Sequence, residues 1–130
     1  MSSDKLNFKG RLEDKKSHSE LLVSLNIVSF KDGNTEILYA PAMEVYGYGN
    51  DIDEAKTSFE ICFREFINYT HNKNTFEEEL ARLGWKIKGS KSRKRFTTPE
   101  LSELIKTNAR LTEILNTKDF TSYKKELAIA

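Results

Sequence analysis

Acidic side chains that could attract a basic partner are grouped in two stretches of the sequence, at residues 44–54 and 77–79. Clustered carboxylates attract positively charged surfaces. Two interpretations are open: capping of helix N-termini, which also accounts for Glu78, and contact with a basic partner. The first stretch contains Glu44, Asp51, Asp53 and Glu54.

Side chains that bind transition metals are few and scattered. His18 lies in a polar N-terminal stretch, His71 follows a predicted helix, and Cys62 is the only cysteine. None of them has a partner at a spacing typical of a zinc site, and a single cysteine cannot form an internal disulfide. We expect no metal, no other cofactor and a reducing, cytoplasmic setting.

Glycine and tyrosine alternate just before the main predicted helix. A dinucleotide-binding loop would need a third glycine where Ile52 stands, and Asp51 would repel a phosphate. The glycines Gly47 and Gly49 fall on one side of a predicted strand, where they would allow a helix or a partner backbone to approach closely.

Positive charges are concentrated between residues 86 and 95, although the whole chain has a net charge of only +1. Such a run is either a solvated linker or a set of phosphate contacts. The candidate nucleic-acid contacts are Lys88, Lys91, Arg93, Lys94 and Arg95.

Alternating apolar residues predict strands that would position these side chains. A half-buried strand is predicted at 21–30, and a hairpin to a second strand at 35–40 through a type I′ turn at Asp32-Gly33. Pro41 ends the second strand, and a third follows at 44–49.

Helices are predicted next. Asp51 and Glu54 form a capping box ahead of a long amphipathic helix, and Thr75 and Glu78 form another ahead of a short helix that ends at Gly84. A fourth strand follows at 85–87. The fold class is therefore α+β, β-β-β-α-α-β, with a three-stranded antiparallel meander plus a fourth strand covered by the helices. The apolar stripe of the long helix comprises Ala55, Phe59, Cys62, Phe63, Phe66 and Ile67.

The chain divides into four predicted parts: a flexible polar tail at 1–19, the α+β domain at 20–88, a basic linker at 89–96, and a helical and extended interaction segment at 97–130. Pro99 predicts the first helical position of that last segment, and a strand is predicted at 127–129. Its apolar residues need burial, so we expect a homodimer or higher oligomer through strand four or the tail. The N-terminal stretch contains no apolar run typical of a signal peptide or membrane span.

One run of sequence resembles the HicB family of antitoxins. It reads YAPAMEVYGYGNDIDEA from Tyr39 to Ala55 and leads into the predicted long helix. In that family a proline follows strand two, and a Gly-Asp-x-x-Glu-Glu-Ala-like motif enters an amphipathic helix. Gly49, Asp51 and Glu54 stand in those places, followed by Ala55. The similarity covers residues 20–88, about half of the chain.

The resemblance implies a truncated ribonuclease H-like fold without nuclease activity. It further implies that the chain binds and masks a small basic RNA-cleaving toxin of the HicA type. It also implies repression of the chain's own operon by an oligomer bound to operator DNA. Two-metal hydrolysis needs converging carboxylates, and the first predicted strand has only Ser24, Asn26 and Ser29 as polar residues, so we expect no enzyme. The alternative is a stand-alone nucleic-acid-binding regulator that uses the basic linker and C-terminal helices. The predicted toxin contacts are Glu44, Tyr46, Tyr48, Asp51, Asp53 and Glu54.

Overall fold

The computed structural model describes residues 21–89 and 94–129, without the side chains of Leu21 and Ile129. The predicted tail at 1–19 lies outside them. The strands are β1 (Leu21–Asp32), β2 (Thr35–Ala40), β3 (Val45–Gly49), β4 (Lys86–Lys88), β5 (Arg95–Thr97) and β6 (Phe120–Ile129). The helices are α1 (Ile52–Asn72), α2 (Phe76–Arg82), α3 (Leu101–Thr107) and α4 (Ala109–Thr117).

The main sheet has four antiparallel strands in the order β3-β2-β1-β6. The predicted hairpin of β1 and β2 is confirmed, but its turn differs. Asp32 lies opposite Thr35, so the turn residues are Gly33 and Asn34, and only Gly33 has a positive φ, of 66°. A glycine at the first turn position favours type II′, so the predicted type I′ turn at Asp32-Gly33 is wrong by one residue.

The fourth strand of this sheet comes from the C-terminus. β6 has 10 residues and pairs with β1 along its whole length, from Phe120 opposite Phe30 to Ile129 opposite Leu21. The strand predicted at 127–129 is therefore much longer. The predicted strand after Trp85 also forms, as β4, but it pairs with β5 in a separate two-stranded sheet. With three residues and only Ile87 half-buried, β4 has little surface to contribute to a sheet core.

Helix α1 lies directly against β3. Its N-terminus is capped as predicted, since the Glu54 amide donates to Asp51 Oδ1 at 2.9 Å and Glu54 Oε1 accepts from the Asn50 amide at 2.8 Å. A Cβ atom at Gly47 would lie 2.5 Å from the Phe59 amide nitrogen. The predicted close approach at the glycines is therefore confirmed.

Helix α2 follows after a short turn. Thr75 is its N-cap but makes no side-chain capping bond, so the predicted capping box with Glu78 is wrong. Gly84 follows the C-cap with φ of 104°, in the left-handed conformation predicted for it. The indole Nε1 of Trp85 donates to the Ala42 carbonyl at 2.8 Å, which ties the end of this unit to the turn before β3.

The C-terminal helices cover the other face of the sheet. Asn108 and Arg110 contact Tyr39 and Tyr46, whose side chains alternate with those that face α1. Helix α3 begins at Leu101, with Glu100 and Glu103 as its capping box, so Pro99 lies before the helix and not at its first position. Asn108 separates the two helices and caps α4, since its Oδ1 accepts from the Leu111 amide at 3.0 Å.

A single hydrophobic core joins these layers. Buried side chains come from β1 (Leu25), α1 (Phe59), α4 (Leu111) and β6 (Leu127). Both predicted parts, 20–88 and 97–130, thus contribute to one core. Among the described residues, no helix is long and apolar enough to cross a membrane.

Candidate binding groove at the edge of the sheet

A shallow groove of about 550 Å³ runs along the outer edge of β3, between this strand and α1. On the strand side it contains three of the predicted contact residues, Glu44, Tyr46 and Tyr48. On the helix side, residues at three- and four-residue spacing form the opposite wall, because one face of a helix repeats at that interval. We call this site the edge groove; its lining residues are Glu44, Val45, Tyr46, Tyr48, Ser58, Cys62, Glu65, Phe66 and Tyr69.

Aromatic rings dominate the exposed surface of the edge groove. Tyr46 stacks between Tyr39 and Tyr48, with ring centroids 4.3 Å and 5.9 Å apart. Tyr48 is 47% exposed and Tyr69 is 63% exposed, so both rings present apolar area to the groove or to solvent. The guanidinium of Arg110 lies 5.5 Å from the Tyr46 ring centroid and the Lys73 ammonium 5.6 Å from that of Tyr69. Both distances suit cation-π attraction.

Glu44 is held in place by a small hydrogen-bond network. Its Oε2 accepts from Tyr39 Oη at 3.1 Å and from Asn108 Nδ2 at 3.1 Å, and the same amide nitrogen is 3.0 Å from Tyr39 Oη. Burial raises the pKa of the Tyr39 phenol above its usual value, which keeps the hydroxyl protonated as a donor. Glu44 has a left-handed φ of 57°, a conformation that costs an ordinary residue roughly 1–2 kcal/mol. These bonds position its carboxylate at one end of the edge groove.

The backbone of β3 is partly open toward the groove. The Tyr48 amide donates to Ser58 Oγ on α1 at 3.1 Å, and therefore points away from β2. Residues two apart in a strand direct their amide and carbonyl groups to the same side, so those of Tyr46 also face the outer edge. The Ser58 hydroxyl therefore takes the place of a neighbouring strand at the Tyr48 amide, and the outer backbone groups of Tyr46 face the groove.

The remaining predicted acidic contacts lie at the Gly49 end of β3, outside the groove lining. Asp51 and Glu54 both make capping bonds, which confirms the capping interpretation for these two residues. Asp53 is exposed in the first turn of α1 and makes no capping bond in the described structure. In the second acidic stretch, Glu77 pairs with Lys94 and Glu79 with Arg82, at 2.6 Å and 2.8 Å.

Of the predicted basic residues, Lys88 and Arg95 lie on the paired strands β4 and β5, which we call the β4–β5 hairpin, and Lys94 directly precedes β5. Lys88 lies opposite Arg95, and both are exposed. Lys94 is held by its ion pair with Glu77, which leaves it less available to a phosphate. Phe96 anchors the hairpin, with its ring 6.0 Å from that of Phe76. Lys91 and Arg93 lie outside the described residues.

Several residues of the edge groove were not among the predicted contacts. Cys62 and Phe66 belong to the predicted apolar stripe of α1, and they are half-buried against the core while also lining the groove. A usable signal was present, since positions 58, 62, 65 and 69 repeat at helical spacing and end on an exposed tyrosine. The role of Asn108, by contrast, depends on a contact 64 residues away in sequence, with Glu44.

Candidate catalytic and metal-binding residues are not brought together. His71 is exposed in the last turn of α1, and its ring packs against that of Phe76 in a tilted arrangement with centroids 4.8 Å apart. Across residues 21–89 and 94–129, no three His, Cys, Asp or Glu side chains are grouped so that they could hold a metal ion. Comparison with known proteins adds no relative, because no family model, no curated protein and no solved structure matches this chain.

Proposed function

We propose that this chain is a non-catalytic, HicB-like antitoxin that binds and occludes a small basic RNA-cleaving toxin of the HicA type. The observation that carries the proposal is the edge groove, which combines exposed tyrosines with Glu44 and Glu65 along an open strand. Tyrosine is enriched in protein interfaces because its ring contributes large contact area and its hydroxyl a hydrogen bond.

The charges around the groove suit a basic partner. Asp51, Asp53 and Glu54 extend the acidic surface beyond the Gly49 end of β3, and all three are exposed. Complementary charge accelerates encounter and disfavours acidic competitors, even where it adds little to final affinity. An RNA-cleaving toxin must bind a polyanion, so a basic surface on such a protein is expected.

The proposal extends to the fold and the setting. β1, β2, β3 and α1 would correspond to the truncated ribonuclease H-like core, with β6 as the added strand. Between Leu21 and Lys31, β1 carries no carboxylate, and Asp32 at its end pairs with Lys118 at 3.3 Å. This arrangement supports binding rather than hydrolysis. Cytoplasmic location, a homodimer or higher oligomer, and operator repression belong to the same proposal.

Co-expression tests the proposed function directly. The chain should suppress growth arrest caused by the product of a small neighbouring open reading frame, and the two should co-purify as one complex. The isolated product should cleave RNA, and the complex should not. Growth arrest that persists, together with separate elution of the two proteins, would exclude the antitoxin proposal.

Reversing one exposed charge should slow association with the toxin. Asp53→Lys places a positive charge at the acidic end of β3, at a side chain that makes no capping bond. We expect an association rate lower by about tenfold at low ionic strength, with a smaller difference at high salt. The matched control is Glu113→Lys on α4, also exposed, which should leave the rate unchanged. Stopped-flow mixing at several salt concentrations measures both; equal slowing by the two variants would contradict the assignment.

A second candidate function is nucleic-acid binding through the β4–β5 hairpin. The specific observation in its favour is the pair Lys88 and Arg95, which face each other across a two-stranded ribbon and are exposed. A β ribbon can enter a DNA groove. Helices α3 and α4 are less suited to this role, because Leu104, Leu111 and Ile114 are buried in the core.

Removing the two hairpin charges should weaken any phosphate-dependent binding. The double variant Lys88→Ala, Arg95→Ala should reduce the slope of log affinity against log salt by roughly 2, because each basic side chain that neutralises a phosphate adds roughly 1 to that slope. The control variant Lys31→Ala, Lys56→Ala removes two exposed lysines elsewhere and should keep the slope. Fluorescence anisotropy with operator DNA from upstream of the gene gives the slopes, and identical slopes for wild type and hairpin variant would exclude this surface.

A further inference from the structure

We infer that the edge groove binds an extended segment of the partner that carries Lys or Arg side chains and pairs with the open edge of β3. This inference rests on the proposed function and adds the chemistry and conformation of the bound segment. It assigns Tyr48, Glu65 and Tyr69 a shared role in contacting that segment.

The side chains of the groove suit a cation. Glu44 and Glu65 supply carboxylates, and the exposed rings of Tyr48 and Tyr69 supply electron-rich faces. Arg110 lies 5.5 Å over Tyr46 and covers that ring, whereas Lys73, 5.6 Å over Tyr69, is an exposed side chain that a partner cation would replace. A Lys or Arg from the partner would then contact the Tyr69 or Tyr48 ring and the carboxylate of Glu65.

The backbone of β3 favours an extended segment. β3 is an edge strand in the described sheet, and the Tyr46 amide and carbonyl face outward, by the same alternation that directs the Tyr48 amide to Ser58. An added strand lies about 4.8 Å from its neighbour, whereas a helix with its side chains needs about 10 Å. Backbone groups on the open edge of β3 can pair with an extended segment, whereas a helix has its own backbone groups already paired, so strand addition is the expected mode.

A peptide probe tests this binding mode on the full chain. Fluorescently labelled Arg-Val-Arg-Val-Arg-Val should bind, with an affinity that falls as salt rises. Glu-Val-Glu-Val-Glu-Val should not bind, because its carboxylates would be repelled by Glu44 and Glu65. The same Arg-Val peptide with every backbone amide N-methylated keeps the charge but has no backbone donor, so it should bind at least about tenfold more weakly.

Cys62 reports on occupancy of the groove. It is the only cysteine and lines the helix side of the groove, so alkylation of the folded chain reports on this position alone. A saturating concentration of the Arg-Val peptide should slow alkylation several-fold, and the Glu-Val peptide should not. Unchanged alkylation with the Arg-Val peptide bound would place the peptide elsewhere and overturn the inference.

Point variants locate the contact. Tyr69→Ala and Glu65→Gln should each weaken Arg-Val peptide binding about tenfold, equivalent to about 1.4 kcal/mol. Matched controls lie outside the groove: Tyr123→Ala on β6 and Glu113→Gln on α4 should change affinity less than about twofold. Because Tyr69 is 63% exposed, its replacement should leave the fold intact, which thermal unfolding checks. Equal effects of groove and control variants, or no binding of the Arg-Val peptide, would overturn the inference.

Alkylation of Cys62 also separates this inference from the proposed function. If the chain neutralises its toxin but Cys62 alkylation is unchanged in the complex, the antitoxin proposal stands and the groove inference fails. If the Arg-Val peptide protects Cys62 while no toxin is neutralised, the groove binds basic segments and the antitoxin proposal fails.

Discussion

Deletion of residues 119–130 should unfold the protein, although the sequence suggests an appended segment there. The deletion removes β6, which pairs with β1 over 10 residues, and with it Leu127, which is 1% exposed. β1 would lose one of its two neighbouring strands, and the buried side chains of Val23 and Leu25 would become more exposed to solvent. Since a domain of this size is stable by only about 5–15 kcal/mol, losing an internal strand pairing of this length should abolish cooperative unfolding. Circular dichroism and urea titration measure the loss.

Single substitutions in β6 distinguish strand loss from general truncation damage. Leu127→Ala should destabilise by about 2–5 kcal/mol because it leaves a cavity in the core. Phe120→Ala is the matched control at the other end of the strand, where the ring is 43% exposed, and should cost under about 1 kcal/mol. A truncated chain that still unfolds cooperatively with a native-like midpoint would show that β6 is dispensable.

The local pattern of apolar and polar residues does not predict the full length of β6. Residues 120–126 read FTSYKKE, with only two aromatic side chains and no sustained alternation of apolar and polar residues. An edge strand needs little apolar area when its partner strand, here β1, supplies the buried residues. Its pairing with β1 brings together residues about 100 positions apart, at Val23 opposite Leu127, which periodicity does not report.

Local chemistry predicted the structure best where one residue determines one backbone feature. Asp51 caps α1, and Gly84 takes a positive φ, as expected from their types. The predictions failed where alternatives differ by one or two residues, as with the turn at Gly33 and the helix start after Pro99. Thr75 is predicted to cap α2 through its side chain and does not, because its backbone, at φ −118° and ψ 11°, lacks the extended conformation typical of an N-cap.

The candidate site was predicted in part for a similar reason. Glu44, Tyr46 and Tyr48 are close in sequence, so a local pattern was enough to group them. The opposite wall, from Ser58 to Tyr69, becomes part of the site only when α1 lies against β3. That contact is set by the glycines of β3, whose missing side chains were visible in the sequence although the groove beside them was not.

Replacing Gly47 should therefore damage both stability and binding. In Gly47→Ala the new Cβ would lie 2.5 Å from the Phe59 amide nitrogen and 2.6 Å from the Phe59 Cβ, so α1 must move away from β3. Overpacking of this kind typically costs about 1–3 kcal/mol, and we expect the upper end because the clash involves helix backbone. Urea titration gives the free energy of unfolding, and the Arg-Val peptide gives the affinity of the edge groove.

Gly33→Ala is the control for adding a methyl group without a clash. Nothing lies within 4 Å of a Cβ at Gly33, so its cost comes from the positive φ alone, about 1–2 kcal/mol, and peptide affinity should not change. If Gly47→Ala destabilises no more than Gly33→Ala, the helix is not held tightly against the strand. If stability falls but affinity is kept, the groove walls do not depend on this contact. If the glycines of β3 determine how closely α1 approaches the strand, Gly47→Ala should lower both the free energy of unfolding and the affinity for the peptide.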